Sequence, residues 1–228
     1  MIPFDETNTI GLDETNFISQ AKINISTDII STVCDITFTS WSKLIANNLI
    51  LPTMLENKIA GYLRKEMKRE KNSRPKLKNQ IRIEQEVGTF VSEESIEPEG
   101  RIDIKIIYSF IEEEYFSMEC KRVSSDTKGN NKELAKKYIT NGIMRFVEGI
   151  YSSGHNFAAM IGFIIDKKPQ NCIKRICKVL DKQKIETCLQ NNWIKETNFG
   201  SYSHLYKTIH QQKNCNSLIN ILHLFLEI

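Results

Sequence analysis

Hydrophobic and charged positions alternate with a helical period along residues 53–71, and the run ends just before Pro75. The apolar members of this run are Leu55, Ile59, Tyr62, Leu63 and Met67. Spacings of mostly three and four residues place their side chains on one face, so the pattern predicts an amphipathic helix. Residues 40–50 predict a shorter helix before it. In residues 21–38, isoleucine and valine alternate with other residues, which predicts one or two strands.

Two further runs of alternating character, residues 101–110 and 115–123, predict a pair of strands. Only residues 111–114 separate them. Because a connection that short cannot form a parallel crossover, the two strands are predicted to form an antiparallel hairpin. Residues 80–91 predict a strand before this hairpin, and the Ser, Glu, Pro and Gly of residues 92–100 predict a loop.

The second half of the chain alternates between helical and strand patterns. The predicted elements are a helix at 132–151, an apolar strand at 158–165, a helix at 171–190, a strand at 204–210 and a final apolar run at 218–227. Strands interleaved with helices predict an α/β (or α+β) fold, in which a central mixed β-sheet is flanked by α-helices.

Composition is that of a soluble domain. The chain has 228 residues, of which 40% are hydrophobic and 26% charged, as in ordinary globular proteins. Apolar stretches such as residues 157–165 are too short to span a bilayer, and Asp5 and Glu6 lie where a signal peptide carries basic residues. We expect a cytoplasmic protein without membrane contact.

One domain over residues 1–228 accommodates all of these elements. Within it, residues 1–38 are expected to form an N-terminal elaboration of strands, residues 53–165 the core that carries the chemistry, and residues 166–228 a C-terminal helix and strands.

Charge is distributed unevenly, although the net charge is only +3. Residues 56–82 carry ten basic side chains against three acidic ones, whereas residues 84–119 carry eleven carboxylates against two basic side chains. Two interpretations are open. Such runs are often solvated faces, but they also suit a cation-binding centre bordered by side chains that bind phosphate.

The predicted hairpin brings Asp103 on its first strand close to Glu119 and Lys121 on its second. Residues two apart in a strand project from the same face, so Glu119 and Lys121 point together. With a turn near residue 113, Asp103 and Glu119 fall within one or two rungs, about 5–8 Å apart. Two carboxylates at that separation can bridge a divalent cation.

This combination suits phosphodiester hydrolysis. A Mg²⁺ held by two carboxylates neutralises charge on phosphoryl oxygens and lowers the pKa of a bound water. A lysine between carboxylates stays charged, so it stabilises developing negative charge or orients the water. The Glu-x-Lys spacing also occurs at Glu56 and Glu66, but on a predicted helix residues two apart diverge. The hairpin is therefore the candidate site.

Around these residues the sequence resembles the PD-(D/E)xK nuclease superfamily, which has the restriction-endonuclease-like fold. The matching segments are GRIDI at 100–104, MECKRV at 118–123 and the helix LENKIAGYL at 55–63, which carries Glu56. Residues 138–163 are similar to a subgroup of bacterial restriction or anti-phage defence nucleases. Ile102 stands where the superfamily's name has proline.

The resemblance implies a Mg²⁺-dependent endonuclease that acts on DNA, with Mn²⁺ able to substitute. Asp103 and Glu119 would bind the metal together with the main-chain carbonyl of Cys120, and Lys121 would position the attacking water. Glu56 would act as a further metal ligand or bind the metal's water.

Two other carboxylates compete with Glu56 for the supporting place. Glu84 and Glu86 lie on opposite faces of one predicted strand. Glu86 ranks first of the two because it lies nearer the loop that leads to Asp103.

The helix that follows the second hairpin strand carries candidate phosphate ligands: Lys137, Tyr138 and Arg145. Its first turns follow the Glu119 strand directly and therefore reach the metal's surroundings. Packing of Tyr138 in the core and pairing of Arg145 with an acidic neighbour is the alternative.

DNA is the expected partner. A homodimer is also compatible, since cutting two strands takes two sites or two visits, and so is a protein that activates or restrains the enzyme. Two rival functions remain: a nuclease-fold subunit that binds DNA or a partner without cutting, and a regulatory protein whose basic segment binds an acidic protein.

Overall fold

The computed structural model describes residues 23–85, 101–111 and 114–228. Five predictions lie wholly or partly outside these residues: Glu86, the second half of the strand predicted at 80–91, the loop at 92–100, the turn centred near residue 113, and the part of the N-terminal elaboration before residue 23.

Five α-helices are found in the described part of the chain. They are α1 (Thr27–Ala46), α2 (Glu56–Ser73), α3 (Leu134–Tyr138), α4 (Met144–Val147) and α5 (Pro169–Lys182). A π-helical turn, Ile139–Ile143, joins α3 to α4. The helix predicted at 53–71 is confirmed as α2, whose apolar positions Ile59, Leu63 and Met67 are buried.

In the described residues, seven strands form one mixed sheet in the order β1-β2-β3-β4-β7-β6-β5. Their bounds are β1 (Arg82–Glu84), β2 (Ile104–Ile107), β3 (Tyr115–Val123), β4 (Phe157–Ile164), β5 (Leu189–Lys195), β6 (Leu205–Gln211) and β7 (Leu218–Glu227). Strands β3, β4 and β7 are parallel neighbours, and the pairs on both sides of them are antiparallel. The predicted hairpin is confirmed as β2 and β3.

Helices cover both faces of the sheet. Residues of α1 and α2 pack with one set of strand side chains, such as Met118 and Ile161, in one hydrophobic core. Residues of α3, α4 and α5 pack with the alternate set, such as Met160 and Ile221, in a second core. The predicted α/β class, a mixed sheet flanked by helices, is confirmed.

The strands predicted within residues 21–38 are wrong for the described part, because residues from Thr27 onward belong to α1. Ile30, Val33, Ile36 and Thr37 are buried and stand at positions i, i+3, i+6 and i+7, which is a helical period. Their β-branched side chains favour strands locally, but burial of one helical face decides the structure. Ser26 caps the helix by accepting a hydrogen bond from the Ile29 N–H.

Other elements differ from the predictions in extent. The helix predicted at 171–190 ends at Lys182, and β5 begins at Leu189. The helix predicted at 132–151 is divided by the π-helical turn. The strand predicted at 101–110 is shortened to Ile104–Ile107, which leaves Asp103 just outside it.

Among the described helices, none combines the length and the apolar character required to cross a bilayer.

Candidate active site

The register of the hairpin places the two predicted carboxylates opposite each other. Ile104 pairs with Met118, so continuing the register by one residue sets Asp103 against Glu119. Opposed residues of an antiparallel pair project from the same face, as does Lys121 two residues further on. Glu119 and Lys121 therefore share a face of β3, and Asp103 lies beside them just beyond the end of β2, where its side chain contacts the Cys120 N–H.

Two carboxylates accept main-chain hydrogen bonds from β3 where β2 ends. Beyond Ile104, β2 provides no carbonyl groups to accept hydrogen bonds from the main-chain N–H groups of β3. Asp103 Oδ2 accepts a hydrogen bond from the Cys120 N–H at 2.9 Å, and Glu56 Oε2 accepts one from the Arg122 N–H at 2.8 Å. Glu56 is the first residue of α2, where the positive end of the helix dipole favours a carboxylate.

Lys121 joins these groups. Its ammonium donates to Glu119 Oε1 at 2.5 Å, to the Cys120 carbonyl at 2.9 Å and to Glu56 Oε1 at 3.2 Å. We call Glu56, Asp103, Glu119 and Lys121 the β3-edge site. One cation is thus bound by two carboxylates and a main-chain carbonyl.

Glu119 is the least satisfied member of the β3-edge site. It is only 6% exposed, and its Oε2 atom is buried without a hydrogen-bond partner among the described residues. Burial raises its pKa to about 8, and the charge of Asp103 adds to this while Lys121 opposes it. A carboxylate with one oxygen unpaired in the interior is costly and marks a place where another ligand fits.

The pKa values of Asp103 and Lys121 are shifted as well, and burial acts on both. Burial raises the pKa of Asp103, although the Cys120 N–H and Lys121 act in the opposite direction. Burial alone lowers the pKa of Lys121, but Glu119 and Glu56 outweigh it, so this pKa is raised above its usual value. Lys121 therefore stays protonated at neutral pH.

A cavity of about 430 Å³ opens onto the site. It is lined by Glu56, Glu119 and Lys121 together with Arg101, Arg122, Lys137 and Arg145, and by Leu55, Leu134, Asn141 and Tyr151. Two of the predicted phosphate ligands, Lys137 and Arg145, thus border the same cavity as the carboxylates.

Tyr138 was predicted to bind phosphate, but the structure places it in the core and not at the cavity. Its side chain is fully buried, its hydroxyl is hydrogen-bonded to His223 Nδ1 at 3.0 Å, and its ring stacks with Phe225. It belongs to the core, since it faces the sheet from α3 while its neighbour Lys137 lines the cavity.

Six residues that line the cavity were not among the predicted site residues: Leu55, Arg101, Arg122, Leu134, Asn141 and Tyr151. The Tyr151 hydroxyl accepts a hydrogen bond from the Arg101 N–H at 2.9 Å, and burial raises the pKa of this tyrosine to about 12 with a contribution from Glu119. Asn141 lies in the π-helical turn, and the sequence pattern did not predict this turn. Its neighbour Gly142 allows a close approach, because a Cβ there would lie 2.3 Å from Met160 Cε.

Of the two carboxylates that compete with Glu56, the structure describes only Glu84, and Glu84 lies away from the site. Glu84 is exposed on β1 and pairs in register with Lys105, away from the lining of the cavity. Glu86 lies outside the described residues. Of the two described carboxylates, Glu56 and Glu84, Glu56 is the one that contacts Lys121.

The site offers oxygen donors for a metal ion but few acidic side chains grouped closely enough to hold one. In the described ranges, no three His, Cys, Asp or Glu side chains are grouped as ligands of one ion. The available donors are nevertheless hard oxygens: Asp103, the unpaired Oε2 of Glu119 and the Cys120 carbonyl. Such donors suit Mg²⁺ or Mn²⁺.

No protein-family model, curated protein or solved structure matches this chain.

Proposed function

We propose that this protein is a metal-dependent nuclease that hydrolyses DNA phosphodiester bonds with Mg²⁺, for which Mn²⁺ can substitute. One observation carries the proposal. Asp103, Glu119 and Lys121 meet where β2 ends, and Glu119 keeps a buried oxygen for which the described residues supply no hydrogen bond.

Asp103, Glu119 and the Cys120 carbonyl would hold the metal. Their fit is supported by the unpaired Glu119 Oε2, because an oxygen desolvated without a partner gains most from a bound cation. When bound, the metal supplies charge neutralisation at the phosphoryl group and acidifies a water molecule.

Lys121 acts as a cation and not as a base. Its pKa is raised by Glu119 and Glu56 in spite of burial, so it does not accept a proton at neutral pH. It donates hydrogen bonds to the attacking water or to the phosphoryl oxygens, where it stabilises developing negative charge. Glu56 holds Lys121 in this position and caps the edge of β3.

The rest of the cavity binds the substrate's backbone. Arg101, Arg122, Lys137 and Arg145 contribute four cationic side chains around the carboxylates. Guanidinium and ammonium groups in a concave surface attract phosphates and hold them in register. A polyanionic substrate therefore accounts for both the acidic centre and its basic surroundings.

The cellular role proposed here, restriction or anti-phage defence in the cytoplasm, comes from the resemblance of residues 138–163 to a subgroup of bacterial restriction or defence nucleases. A nuclease of this kind requires control, so an activating or restraining protein partner belongs to the proposal, as does a homodimer that cuts both strands.

A second candidate is a nuclease-fold subunit that binds DNA or a partner protein and does not cut. The observation that favours it is Lys121 itself. Its ammonium already engages Glu119, Glu56 and the Cys120 carbonyl, so it satisfies oxygens that a metal would use.

Cleavage of plasmid and single-stranded DNA distinguishes the two candidates. Wild type, Asp103→Asn and Lys121→Ala are compared in Mg²⁺, Mn²⁺ and EDTA. The exposed pair Asp181 and Lys178 on α5 provides matched controls, Asp181→Asn and Lys178→Ala. We expect metal-dependent cutting that falls by about 100-fold or more in both site variants and stays unchanged in both controls.

Circular dichroism confirms that each variant is folded. Wild-type protein that is folded, binds DNA and cuts under none of these conditions would favour the non-cleaving subunit. Equal cleavage by Lys121→Ala and wild type would remove Lys121 from the mechanism.

A further inference from the structure

The loop that joins α1 to α2 presents leucines to solvent beside the cavity. Leu49, Leu51 and Leu55 are 40%, 53% and 67% exposed. No charged residue occurs from residue 44 to residue 55. A single exposed leucine is ordinary, but three in seven residues of an uncharged loop form an apolar surface that invites an explanation.

This loop is held in place by its own contacts. Ile50 is buried in the core, and the Met54 N–H donates to the Leu51 carbonyl at 3.0 Å. Arg122, from β3, donates through Nη2 to the Pro52 carbonyl at 3.0 Å. Leu51 and Leu55 are therefore presented on a backbone that is already ordered, which lowers the entropic cost of binding.

The position of the loop links it to the β3-edge site. Leu55 lines the cavity, and the next residue, Glu56, contacts Lys121. The residue that anchors the loop, Arg122, also lines the cavity. A phosphate bound among the cationic side chains thus lies next to apolar surface that begins at Leu55.

The geometry points to this loop, residues 49–55, as a surface that packs against the nucleobases of a polynucleotide whose phosphates lie in the cavity. The inference rests on the proposed function and adds a contact to the bases. A nucleic acid strand presents anionic phosphates beside flat, weakly polar bases, which matches a cationic cavity next to an apolar rim. Leucine and proline are among the side chains that proteins insert between base steps.

Binding measured without cleavage tests this contact. Short fluorescein-labelled DNA, single-stranded and duplex, is titrated in EDTA and in Ca²⁺ with wild type, Leu51→Ser and Leu55→Ser. Leu218→Ser is the matched control, because Leu218 is 47% exposed and does not line the cavity. Serine at position 55 keeps the start of α2, since Leu55 is its N-cap residue.

We expect the two loop variants to bind about 5- to 20-fold more weakly than wild type, and the control to bind equally well. The slope of log affinity against log salt should stay unchanged in the loop variants, because no phosphate contact is lost. Arg145→Ala should instead reduce this slope by about one. 2-Aminopurine placed in the duplex should brighten on binding to wild type and less so with Leu51→Ser.

The outcomes separate this inference from the proposed function. Loop variants that bind DNA as tightly as wild type overturn it, and so does a wild type that binds no DNA. Unchanged DNA affinity with an altered sedimentation coefficient assigns the loop to contact between copies and also overturns it. Weakened binding by the loop variants, in a protein that never cuts in Mg²⁺, supports the base contact while the nuclease proposal fails.

Discussion

Among the buried polar side chains of the described residues, two groups differ in how fully their hydrogen bonds are satisfied. One is the β3-edge site. The other, which we call the histidine chain, consists of Tyr138, His223, Thr208 and His210, all of them fully buried. Its hydrogen bonds run from the Tyr138 hydroxyl to His223 Nδ1 at 3.0 Å, from His223 Nε2 to Thr208 Oγ1 at 2.8 Å, and from Thr208 Oγ1 to His210 Nε2 at 2.9 Å.

The direction of the histidine chain is fixed at one end. His210 Nδ1 lies 2.7 Å from the Thr187 carbonyl, which can only accept, so Nδ1 carries the proton. Nε2 of His210 then accepts from Thr208, Thr208 accepts from His223, and His223 accepts from Tyr138. Each ring nitrogen of both histidines has a partner while the rings are neutral.

The β3-edge site is the opposite case. Two carboxylates and a main-chain carbonyl bind a single lysine, one buried oxygen of Glu119 lacks a partner in the described structure, and a cavity opens onto the group. Buried polar groups that serve structure are normally paired. The comparison therefore favours a structural role for the histidine chain and supports the proposal that the β3-edge site is the functional one.

The largest expected effect is loss of cleavage in Glu119→Gln. The amide keeps the shape of the side chain but removes the charge and the oxygen pair that would hold a metal, so we expect metal-dependent cutting to fall by about 100-fold or more. The exposed Glu186→Gln serves as the control. The assay is DNA cleavage with Mg²⁺ or Mn²⁺.

The same variant should not be less stable in EDTA. The pKa of Glu119 is raised from 4.5 to about 8 in the folded protein, so the folded state binds this proton more tightly than the unfolded state, and stability is lost as pH rises from 4.5 toward 8. Glutamine is neutral throughout and avoids this loss. A marked drop in unfolding free energy for Glu119→Gln would instead make Glu119 a structural residue and remove the contrast.

Sequence reasoning predicted the parts of the molecule that depend on local pattern. The amphipathic period of α2 and the short connection between β2 and β3 each determine their element, and the hairpin then brings Asp103 to Glu119 and Lys121. The strand prediction for the residues from Thr27 onward was wrong. Their β-branched composition favours strands locally, but packing against α2 and the sheet stabilises a helix.

The remaining parts depend on contacts that no local pattern encodes. Tyr138 and Lys137 are adjacent in α3, yet one enters the histidine chain and the other lines the cavity. Arg101 meets Tyr151 across 50 residues of chain. Periodicity says which side chains share a face, but the partner on that face comes from the tertiary structure.

The second prediction concerns pH and the histidine chain. Burial lowers the pKa of His210 to about 4, below its usual value of 6.5, so the folded state disfavours the proton that the unfolded state accepts. Its contribution to stability is complete above pH 6.5 and is lost as pH falls toward 4. Over that interval the loss amounts to about 3 kcal/mol.

Comparison with His210→Gln isolates this contribution. The unfolding free energy of wild type relative to His210→Gln, measured by urea denaturation, should fall by about 3 kcal/mol between pH 6.5 and pH 4. Parallel pH profiles for the two proteins would show that the pKa of His210 is the same in the folded and unfolded states. The structural role assigned to the histidine chain would then be wrong.

The smallest expected effect comes from single hydroxyl groups. Tyr138→Phe removes the donor to His223 Nδ1 and leaves that buried nitrogen unpaired, which should lower the unfolding free energy by about 2 kcal/mol. Tyr108→Phe is the matched control, because the Tyr108 hydroxyl is buried and the described residues offer it no hydrogen bond. Removing it should cost nothing or stabilise the protein slightly.

Urea denaturation of both variants, with cleavage assayed beside it, tests the two assignments together. A Tyr138→Phe protein that is destabilised yet cuts DNA at the wild-type rate places the histidine chain in the scaffold, as its saturated hydrogen bonds require. Equal stability of Tyr138→Phe and Tyr108→Phe would mean that the Tyr138–His223 bond contributes no more than an unpaired hydroxyl. Saturation of buried polar atoms would then no longer separate structure from function in this protein.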